Sequence, residues 1–434
     1  MLQRKAMGKL IAWKEQKTKQ ALLITGARQV GKTFLADAFS AENYHVCAKF
    51  NLIEAPSVKD SFTNAKNGDD LMFRISVASS VQLVPGETLI FIDEVQECPE
   101  IVTLIKFLVE KGEYDFILSG SLLGVELENI RSNPVGYLTE IVMYPLDFEE
   151  FCWANGVVTD AFSLLKDAIS KKSPVPVFLH TRLIDLFHKY LLIGGMPDAI
   201  VSFLAMYDID HVRALQDGIV QYYGKDISKY APKDRRLVIR NIYDLIPSEL
   251  FSQNKRFRLS SIENVKRYTQ VQNELLWLIK ANVALPAYNV KAPVSPLLLS
   301  EAHSLFKMYL SDVGLLTSRF PKNASIGLLD GKPEMNLGGI YENFAAQELT
   351  ARGFALRYYT SKKIGELDFV AERKDGTIVA LELKSGRDYK THTSLTKALA
   401  VPEFDISEAY VFAETNIEVV GDVLYLPVYA LSAF

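Results

Sequence analysis

A glycine-rich loop between a predicted strand and a predicted helix constrains the fold of this chain more than any other stretch. The loop is GARQVGKT (26–33); it follows the apolar segment ALLIT (21–25) and leads into KTFLADAFSAE (32–42). This matches the pattern GxxxxGK[ST], in which glycines let the backbone wrap phosphate groups at the start of a helix. Strand, loop and helix together predict a P-loop NTPase domain with a parallel α/β sheet.

The predicted nucleotide site combines this loop with the end of a later strand. Lys32 is expected to reach the β- and γ-phosphates, and Thr33 to hold Mg²⁺. In LIFIDE (89–94), Asp93 is predicted to coordinate Mg²⁺ and Glu94 to orient or deprotonate the attacking water. Ligands of such sheets bind beyond the carboxyl ends of the strands. We expect ATP to contact Gly26, Ala27, Arg28, Gln29, Val30, Gly31, Lys32, Thr33 and Phe34.

Two further residues are candidates for the same site. Ser119, in the strand end FILSGS (116–121), would sense the γ-phosphate or the attacking water, although a serine in a plain turn fits the pattern too. Arg131, in ENIRSNPVG, would stabilise charge across a subunit interface, since phosphoryl transfer benefits from an arginine finger. An ordinary surface arginine is the alternative for that position.

Length, charge and cysteine content exclude several classes of protein. A chain of 434 residues that is 49% hydrophobic is long enough for several domains. Its net charge of −4 excludes a uniformly basic nucleic-acid coat. Three separated cysteines without CxxC spacing suggest neither a disulfide framework nor a zinc site. With no stretch of 18 apolar residues, we expect a soluble, cytoplasmic protein.

Several stretches beyond the loop resemble one family. They are YPLDFEEF (144–151), LLIGGMPDAI (191–200), YYGKDISKY (222–230) and FKMYLSDVGLL (306–316). With the P-loop and the IDE strand, they resemble an AAA-superfamily group of prokaryotic ATPases that carry a C-terminal domain of formerly unknown function. The resemblance covers nearly the whole chain and implies that this last domain is restriction-endonuclease-like, of the PD-(D/E)xK type. It implies no substrate, and the oligomeric state stays open because no clear arginine-finger motif is present.

The pattern of helices and strands fits that domain order. The region from about 160 to 228 reads as helical, the next ninety residues as helices followed by a strand pair, and the last hundred as α/β. We predict a P-loop AAA-type ATPase domain at 1–158, a helical lid at 159–228, a winged-helix domain at 229–322 and a restriction-endonuclease-like domain at 323–434.

A second cluster of acids lies in GELDFVAERKDGTIVALELKSG (365–386). Glu382 and Lys384 are two apart on a predicted strand and so share a face. Asp368 lies on the preceding strand, and the turn at Asp375-Gly376 would fold the two strands together. Two acids that hold Mg²⁺ or Mn²⁺, with a lysine that activates water or steadies the phosphate, would suit phosphodiester cleavage.

The alternative for this cluster is an ordinary charged strand face. The apolar neighbours 379–381 and Leu383 argue against it, because they predict a buried strand where unpaired charge is costly. Glu342, in IYENFAAQEL, resembles the helix glutamate that completes such metal sites. Even a preserved site of this kind can bind DNA without cutting it.

A basic segment occupies the middle of the chain. Residues 225–267 contain eleven Lys and Arg against five Asp and Glu, with Tyr230, Tyr243, Phe257 and Tyr268 among them. This composition predicts contact with DNA phosphates and some stacking, although a solvated face or an interface with an acidic domain explains it equally well.

The leading functional hypothesis is an ATPase with a nuclease-like C-terminal domain that acts on DNA. The first alternative is a nucleotide-switched interaction or regulatory protein whose C-terminal domain binds a partner without cutting nucleic acid. A nucleoside or small-molecule kinase fits the P-loop but leaves about 250 residues unexplained.

Overall fold

The computed structural model describes residues 2–121, 134, 136–252, 254–329 and 337–434. These residues form two compact units. The first comprises Gln3–Tyr144 and Lys280–Asn282, and the second comprises Leu2, Pro145–Ile279 and Val283–Phe434. Arg131, the candidate arginine finger, lies outside the described residues.

Five parallel strands form the sheet of the first unit, in the order β2-β3-β4-β1-β5. Their bounds are β1 (Ala21–Thr25), β2 (Val46–Asn51), β3 (Thr88–Asp93), β4 (Asp115–Ser119) and β5 (Leu138–Val142). The helices that accompany them are α1 (Ala6–Gln16), α2 (Lys32–Asn43), α3 (Pro56–Thr63), α4 (Gly68–Ala78) and α5 (Glu100–Lys111). Strands β1 and β3 are buried along their whole length, which explains their uninterrupted apolar sequences. The predicted parallel α/β sheet is confirmed.

Helices dominate the first half of the second unit. Their bounds are α6 (Phe148–Ala154), α7 (Thr159–Ser170), α8 (Val177–Ile193), α9 (Pro197–Met206), α10 (Ile209–Tyr230), α11 (Arg236–Leu250) and α12 (Gln272–Lys280). Later helices are α13 (Val313–Thr317), α14 (Lys322–Leu329), α15 (Gly338–Ala351) and α16 (Thr393–Leu399). Within the described residues no single helix is long and apolar enough to span a membrane, and α8 and α9 pass that test only as a pair bent by 119°.

Two sheets complete the second unit. One has the order β7-β6-β8-β9 and contains β6 (Ala284–Val290), β7 (Glu301–Leu310), β8 (Arg357–Ser361) and β9 (Gly365–Leu367). The other has the order β10-β11-β12-β14-β13 and contains β10 (Phe369–Glu372), β11 (Ile378–Leu383), β12 (Ile406–Ala413), β13 (Glu418–Val420) and β14 (Val423–Pro427).

The predicted wing is part of a larger sheet. Strands β6 and β7 pair antiparallel, as a wing would, but β6 also pairs parallel with β8. The predicted winged helix and the predicted C-terminal domain therefore share one sheet across the expected border at 322/323. The structure groups the lid, the middle segment and the C-terminal segment in one compact unit. The four-domain division stays a prediction.

An aromatic cluster packs the end of the predicted ATPase domain against the lid and the C-terminal segment. The ring of Phe148, in the PLDFEEF stretch, lies 5.6 Å from that of Tyr190 and 6.2 Å from those of Phe187 and Phe344. The Tyr429 ring lies 6.5 Å away on another side. Edge-to-face contacts at such distances are favourable, and the four partners come from α8, from α15 and from the C-terminal segment. One buried residue thus joins three predicted domains.

Asp312 is the polar centre of the same core. Its side chain accepts hydrogen bonds from the backbone N–H groups of Gly195 at 2.6 Å and Leu315 at 2.9 Å. It is fully buried, and burial raises its pKa to about 6 although the surrounding backbone donors lower it. The carboxylate therefore ties the junction between α8 and α9 to the start of α13.

The glycines at this junction are required by space as well as by conformation. Gly194 has a φ of +72°, and a Cβ atom there would lie 2.2 Å from a carboxylate oxygen of Asp312. A Cβ atom on Gly195 would lie 2.0 Å from the carbonyl oxygen of Leu146. The two residues are already in backbone contact, because the N–H of Leu146 donates to the carbonyl oxygen of Gly195 at 2.7 Å. The GGMP and PLDFEEF stretches therefore contact each other through their backbones, and this contact leaves no room for a side chain at Gly195.

We predict that Asp312→Asn changes how stability depends on pH. Because the pKa of Asp312 is higher in the folded than in the unfolded protein, the protonated residue stabilises the fold. This stabilisation is complete below pH 3.8, the pKa in the unfolded protein, and is lost as the pH rises through about 6. The loss amounts to about 3 kcal/mol. Urea unfolding between pH 4 and 7 should show the wild type losing this amount relative to the variant. The exposed Asp388→Asn should follow the wild type, and parallel profiles for Asp312→Asn would contradict the assignment.

Candidate active sites

The P-loop wraps back on its own lysine. Gly26, Gln29 and Gly31 have φ values of +133°, +66° and +92°, which let the backbone curl before α2 begins at Lys32. The Lys32 ammonium donates to the carbonyl oxygens of Gly26 at 3.0 Å and Ala27 at 2.7 Å. The first turn of α2 has no side-chain cap, so its N–H groups are available to an anion.

The other predicted ATP contacts lie along the same loop. Ala27 and Val30 are buried and fix the loop in the core, whereas Arg28 and Gln29 are partly exposed. The side chain of Phe34 is 53% exposed on the first turn of α2. A Cβ atom on Gly26 would meet the carbonyl oxygen of Met143 at 2.1 Å, so only glycine fits there.

Asp93 accepts hydrogen bonds from two side-chain hydroxyl groups and one backbone N–H group. Its carboxylate accepts a hydrogen bond from Thr33 Oγ1 at 2.7 Å, another from Ser119 Oγ, and a third from the backbone N–H of Glu94 at 3.0 Å. Strands β3 and β4 are neighbours in the sheet and bring Asp93 and Ser119 to the same edge. The structure thus brings together side-chain oxygens of Thr33, Asp93 and Ser119, and oxygen is the ligand type that Mg²⁺ prefers.

Glu94 is held away from the regular strand. Its φ of +57° lies in the left-handed region, which is unusual for a residue with a Cβ atom. Its carboxylate accepts a hydrogen bond from the side-chain amide of Gln96, a buried residue on the short 3₁₀ turn that follows. Strained backbone of this kind persists where neighbouring structure imposes it.

Three residues of this site were not predicted from the sequence. Gln96 orients Glu94, and Ser121 Oγ lies 3.4 Å from the Lys32 ammonium. Arg4 donates to the carbonyl oxygens of Val30 at 2.8 Å and Tyr144 at 2.7 Å, and so braces the loop from the N-terminal segment. Ser121 stands within the SGS stretch and could have been found by its position, whereas no local pattern marks Arg4.

The C-terminal acids lie on a hairpin, as expected. Strands β10 and β11 pair antiparallel around a turn in which Gly376 has a φ of +86°. Asp368 accepts a hydrogen bond from the backbone N–H of Leu383 at 2.8 Å, which holds it beside Glu382. Lys384 donates to Glu382 Oε1 at 2.8 Å. The other oxygen of Glu382 is buried and has no hydrogen-bond partner among the described residues.

Glu342 has a different set of partners from the one predicted. Its Oε1 accepts from Lys255, and its Oε2 accepts from Lys307 and from the Tyr309 hydroxyl, both at 2.9 Å. Lys307 also pairs with Glu366 at 2.7 Å. Because both oxygens are occupied by donors, this structure does not show Glu342 as a third metal ligand. In the described part of the chain, no group of three or more His, Cys, Asp or Glu side chains is arranged to hold a metal ion.

The three acids differ in charge state. Burial, together with the negative charges of Glu382 and Glu342, raises the pKa of Asp368 to about 8. Burial also raises the pKa of Glu382, against the effect of Lys384. For Glu342, burial acts in the same direction, but Lys307 and Lys255 outweigh it and lower the pKa to about 2. Asp368 therefore has too little positive charge nearby, Glu382 has one lysine on one of its two oxygens, and Glu342 has two lysines.

Much of the basic segment is paired within the protein. Arg235 donates to the carboxylate of Glu274, Arg258 pairs with Glu249 at 3.0 Å, and Lys255 pairs with Glu342 as described. The aromatic part of the prediction is wrong for Tyr243 and Phe257, because both are buried. The ring of Phe257 stacks on that of Phe306, with centroids 5.6 Å apart. The exposed cations of the segment include Lys225, Lys233, Lys266 and Arg267.

Solved structures resemble the chain at low identity. The Walker-type ATPase PABY2304 of Pyrococcus abyssi is 16% identical with a TM-score of 0.43, over 74% of this chain and 96% of its own. The Pif1 helicase from Candida albicans is 12% identical with a TM-score of 0.24, over 42% and 47%. C. elegans PCH-2 is 14% identical with a TM-score of 0.23, over 64% and 66%. Likenesses at this identity and TM-score carry neither fold nor function to this chain. None of the curated proteins compared with the chain matches it.

Protein families match three parts of the chain. Residues 184–325 match a domain of unknown function, DUF8612, and residues 337–431 match another, DUF4143. Neither description assigns a fold, so the restriction-endonuclease-like and winged-helix domains stay predictions. Residues 18–152 match the AAA domain family. That match covers the parallel sheet, the P-loop and Asp93, and this chain therefore contains an AAA domain of the P-loop ATPase class.

Proposed function

We propose that the AAA domain binds ATP and hydrolyses it at the P-loop. The observation that carries this proposal is the carboxylate of Asp93, which accepts hydrogen bonds from Thr33 and Ser119 at the edge of the sheet. These groups fit Mg²⁺, and Thr33 and Asp93 would hold it. The ion would neutralise charge on the transferring phosphoryl group.

The chain's own residues supply the remaining functions. Lys32 exchanges its bonds to the loop carbonyls for phosphate oxygens, and the N–H groups at the start of α2 bind the phosphates as well. Glu94 orients the attacking water and takes its proton. Gln96 fixes the carboxylate of Glu94, so it acts as a positioning residue.

We predict that Lys32→Ala nearly abolishes ATP hydrolysis because it removes the cation that contacts the phosphates. Asp93→Ala and Glu94→Gln should lose turnover but keep some nucleotide binding, because they act on metal and water. Losses of about 100-fold or more are expected for groups that stabilise the transition state. Phosphate release and binding of a fluorescent nucleotide would measure the two effects separately.

The matched control is Glu97→Gln. Glu97 lies three residues beyond Glu94 but pairs with Lys59 at 2.7 Å. This variant makes the same chemical change outside the proposed machinery and should hydrolyse ATP at the wild-type rate. Wild-type turnover in the Glu94→Gln protein would remove Glu94 from its proposed role.

A second proposed activity is metal-dependent cleavage of DNA in the C-terminal region. It is supported by the orphaned buried oxygen of Glu382 and by the raised pKa of Asp368, since both indicate a missing positive charge. Asp368 and Glu382 would hold Mg²⁺ or Mn²⁺, which would polarise the phosphodiester. Lys384 would stabilise the charge that develops on the phosphate.

The competing proposal is a nucleotide-switched regulatory protein that binds a partner in this region without cutting. The lysines around Glu342 favour it, because they compensate one of the three predicted ligands without any metal. The two proposals differ in whether metal binding leads to strand cleavage, and one pair of variants separates them.

We predict that Asp368→Ala loses both the thermal stabilisation by Mn²⁺ and any nicking of DNA, because it removes a metal ligand. Lys384→Ala should keep most of the stabilisation and lose the nicking. Asp388→Ala and Lys374→Ala change exposed residues of the same types and should match the wild type. Stabilisation without nicking in the wild type would favour the regulatory protein. Equal stabilisation of Asp368→Ala would show that these acids do not bind metal.

We also propose that the exposed part of the basic segment binds DNA. The support is the order of elements, with helices α10 to α12 followed by the β6–β7 hairpin, as in a winged helix, together with the unburied cations along them.

The variant Lys225→Glu/Lys233→Glu/Lys266→Glu/Arg267→Glu is predicted to bind duplex DNA much more weakly than the wild type, by a similar factor for every DNA sequence. The reason is that it lacks the phosphate contacts whose formation releases counterions. Arg235, Arg236, Lys255 and Arg256 are kept in this variant, because their side chains are partly buried and the first three make internal hydrogen bonds. Fluorescence anisotropy at several salt concentrations is the measurement. Unchanged binding by the fourfold variant would assign the surface to solubility or to a protein partner.

A further inference from the structure

A lysine from the middle of the chain reaches the predicted C-terminal metal ligands. The ammonium of Lys255 donates to Glu342 Oε1, and the Glu342 side chain is only 1% exposed. The positive charge of Lys255 also acts on Asp368, where it opposes the larger effect of burial on the pKa. Lys255 is thus an internal counter-ion for the acids that would bind a metal.

The two lysines on Glu342 are held very differently. Lys307 is fully buried in β7 and bridges Glu342 and Glu366, at 2.9 and 2.7 Å. Lys255 lies on an irregular stretch between the end of α11 and the turn Leu259–Ser261, and its side chain is 25% exposed. Only Lys255 can leave Glu342 without opening the core of the sheet.

The backbone of Lys255 supports the same distinction. Its φ is +47°, in the left-handed region that residues with a Cβ atom adopt at a cost in energy. The residue is fixed on one side by Phe257, whose N–H donates to the Phe306 carbonyl at 3.0 Å. The N–H of Lys255 itself donates to the Ser252 carbonyl at 3.1 Å, so this backbone turn is held independently of the bond between the side chain and Glu342.

We propose that Lys255 is a removable counter-ion of the C-terminal metal site. Its ammonium neutralises Glu342 in the metal-free protein, and a divalent cation competes with it for Glu342 Oε1. Displacement of Lys255 would allow Glu342 to join Asp368 and Glu382 as a third oxygen ligand, as Mg²⁺ and Mn²⁺ prefer. This inference rests on the metal site proposed above, and by linkage each cation weakens the binding of the other.

The test is a Mn²⁺ titration of the full-length protein followed by thermal unfolding. In Lys255→Met the Mn²⁺ concentration for half of the maximal stabilisation should fall roughly tenfold, because the competing charge is gone. Lys266→Met changes an exposed lysine of the same segment and should leave that concentration unchanged. Lys255→Arg keeps the charge and can donate two hydrogen bonds to one carboxylate, so it should raise the Mn²⁺ concentration for half of the maximal stabilisation. This variant tests the inference even if the methionine variant does not fold.

A double variant identifies the oxygen involved. Lys255→Met/Glu342→Gln should lose the gain in Mn²⁺ affinity, because the gain depends on the freed carboxylate. Stabilisation of the wild type with an unchanged concentration in Lys255→Met and Lys255→Arg would overturn the inference and leave the metal site intact. No response to Mn²⁺ in any of these proteins would overturn the metal site itself, and the inference with it.

Discussion

The buried carboxylate of Asp312 is the interaction on which the second unit depends. It accepts backbone hydrogen bonds at the Gly194-Gly195 junction and at the start of α13, in a space that excludes any Cβ atom at the junction. Burial favours the protonated carboxyl group, and the backbone donors oppose this effect, which leaves the pKa of Asp312 at about 6. Two sequence stretches more than 100 residues apart, around Gly195 and around Leu315, are fixed in one arrangement by these hydrogen bonds.

Neighbouring amide groups extend the same constraint. Gln216 donates to the carbonyl oxygens of Leu192 and Ile193, both at 3.0 Å, where α8 ends. Gln347 accepts from the N–H of Val313 at 2.9 Å and donates to the Tyr190 hydroxyl at 2.8 Å. Gln347 uses both ends of its amide group in this network, whereas the carbonyl oxygen of Gln216 has no hydrogen-bond partner among the described residues. The helices before residue 228 and the C-terminal helix α15 therefore belong to one core.

The sequence predicted the elements whose signals are local. The strand and helix around the P-loop, the IDE strand and the β10–β11 hairpin each have a signal within one short stretch of sequence, and the structure contains all of these elements. The sheet that joins β6 to β8 was not predicted, because parallel pairing over about 70 residues leaves no local pattern. Lys307 could be predicted only in part. A lysine between apolar residues of a strand indicates that a buried acid lies nearby, but the sequence does not show which acid it is.

The basic segment shows why a run of charge in a sequence is ambiguous. Its excess of cations fitted contact with DNA, a solvated face and an interface with an acidic domain equally well. In the structure, Lys255 and Arg258 neutralise Glu342 and Glu249, which are themselves buried. A buried acid needs a cation nearby, and the cation need not come from the same element. Asp93 is the contrasting case, because hydroxyl and backbone donors surround it and no cation is paired with it in the contacts described. The two carboxylate sites therefore solve the same electrostatic problem differently: one leaves its charge available for Mg²⁺, and the other supplies part of the counter-charge from the protein.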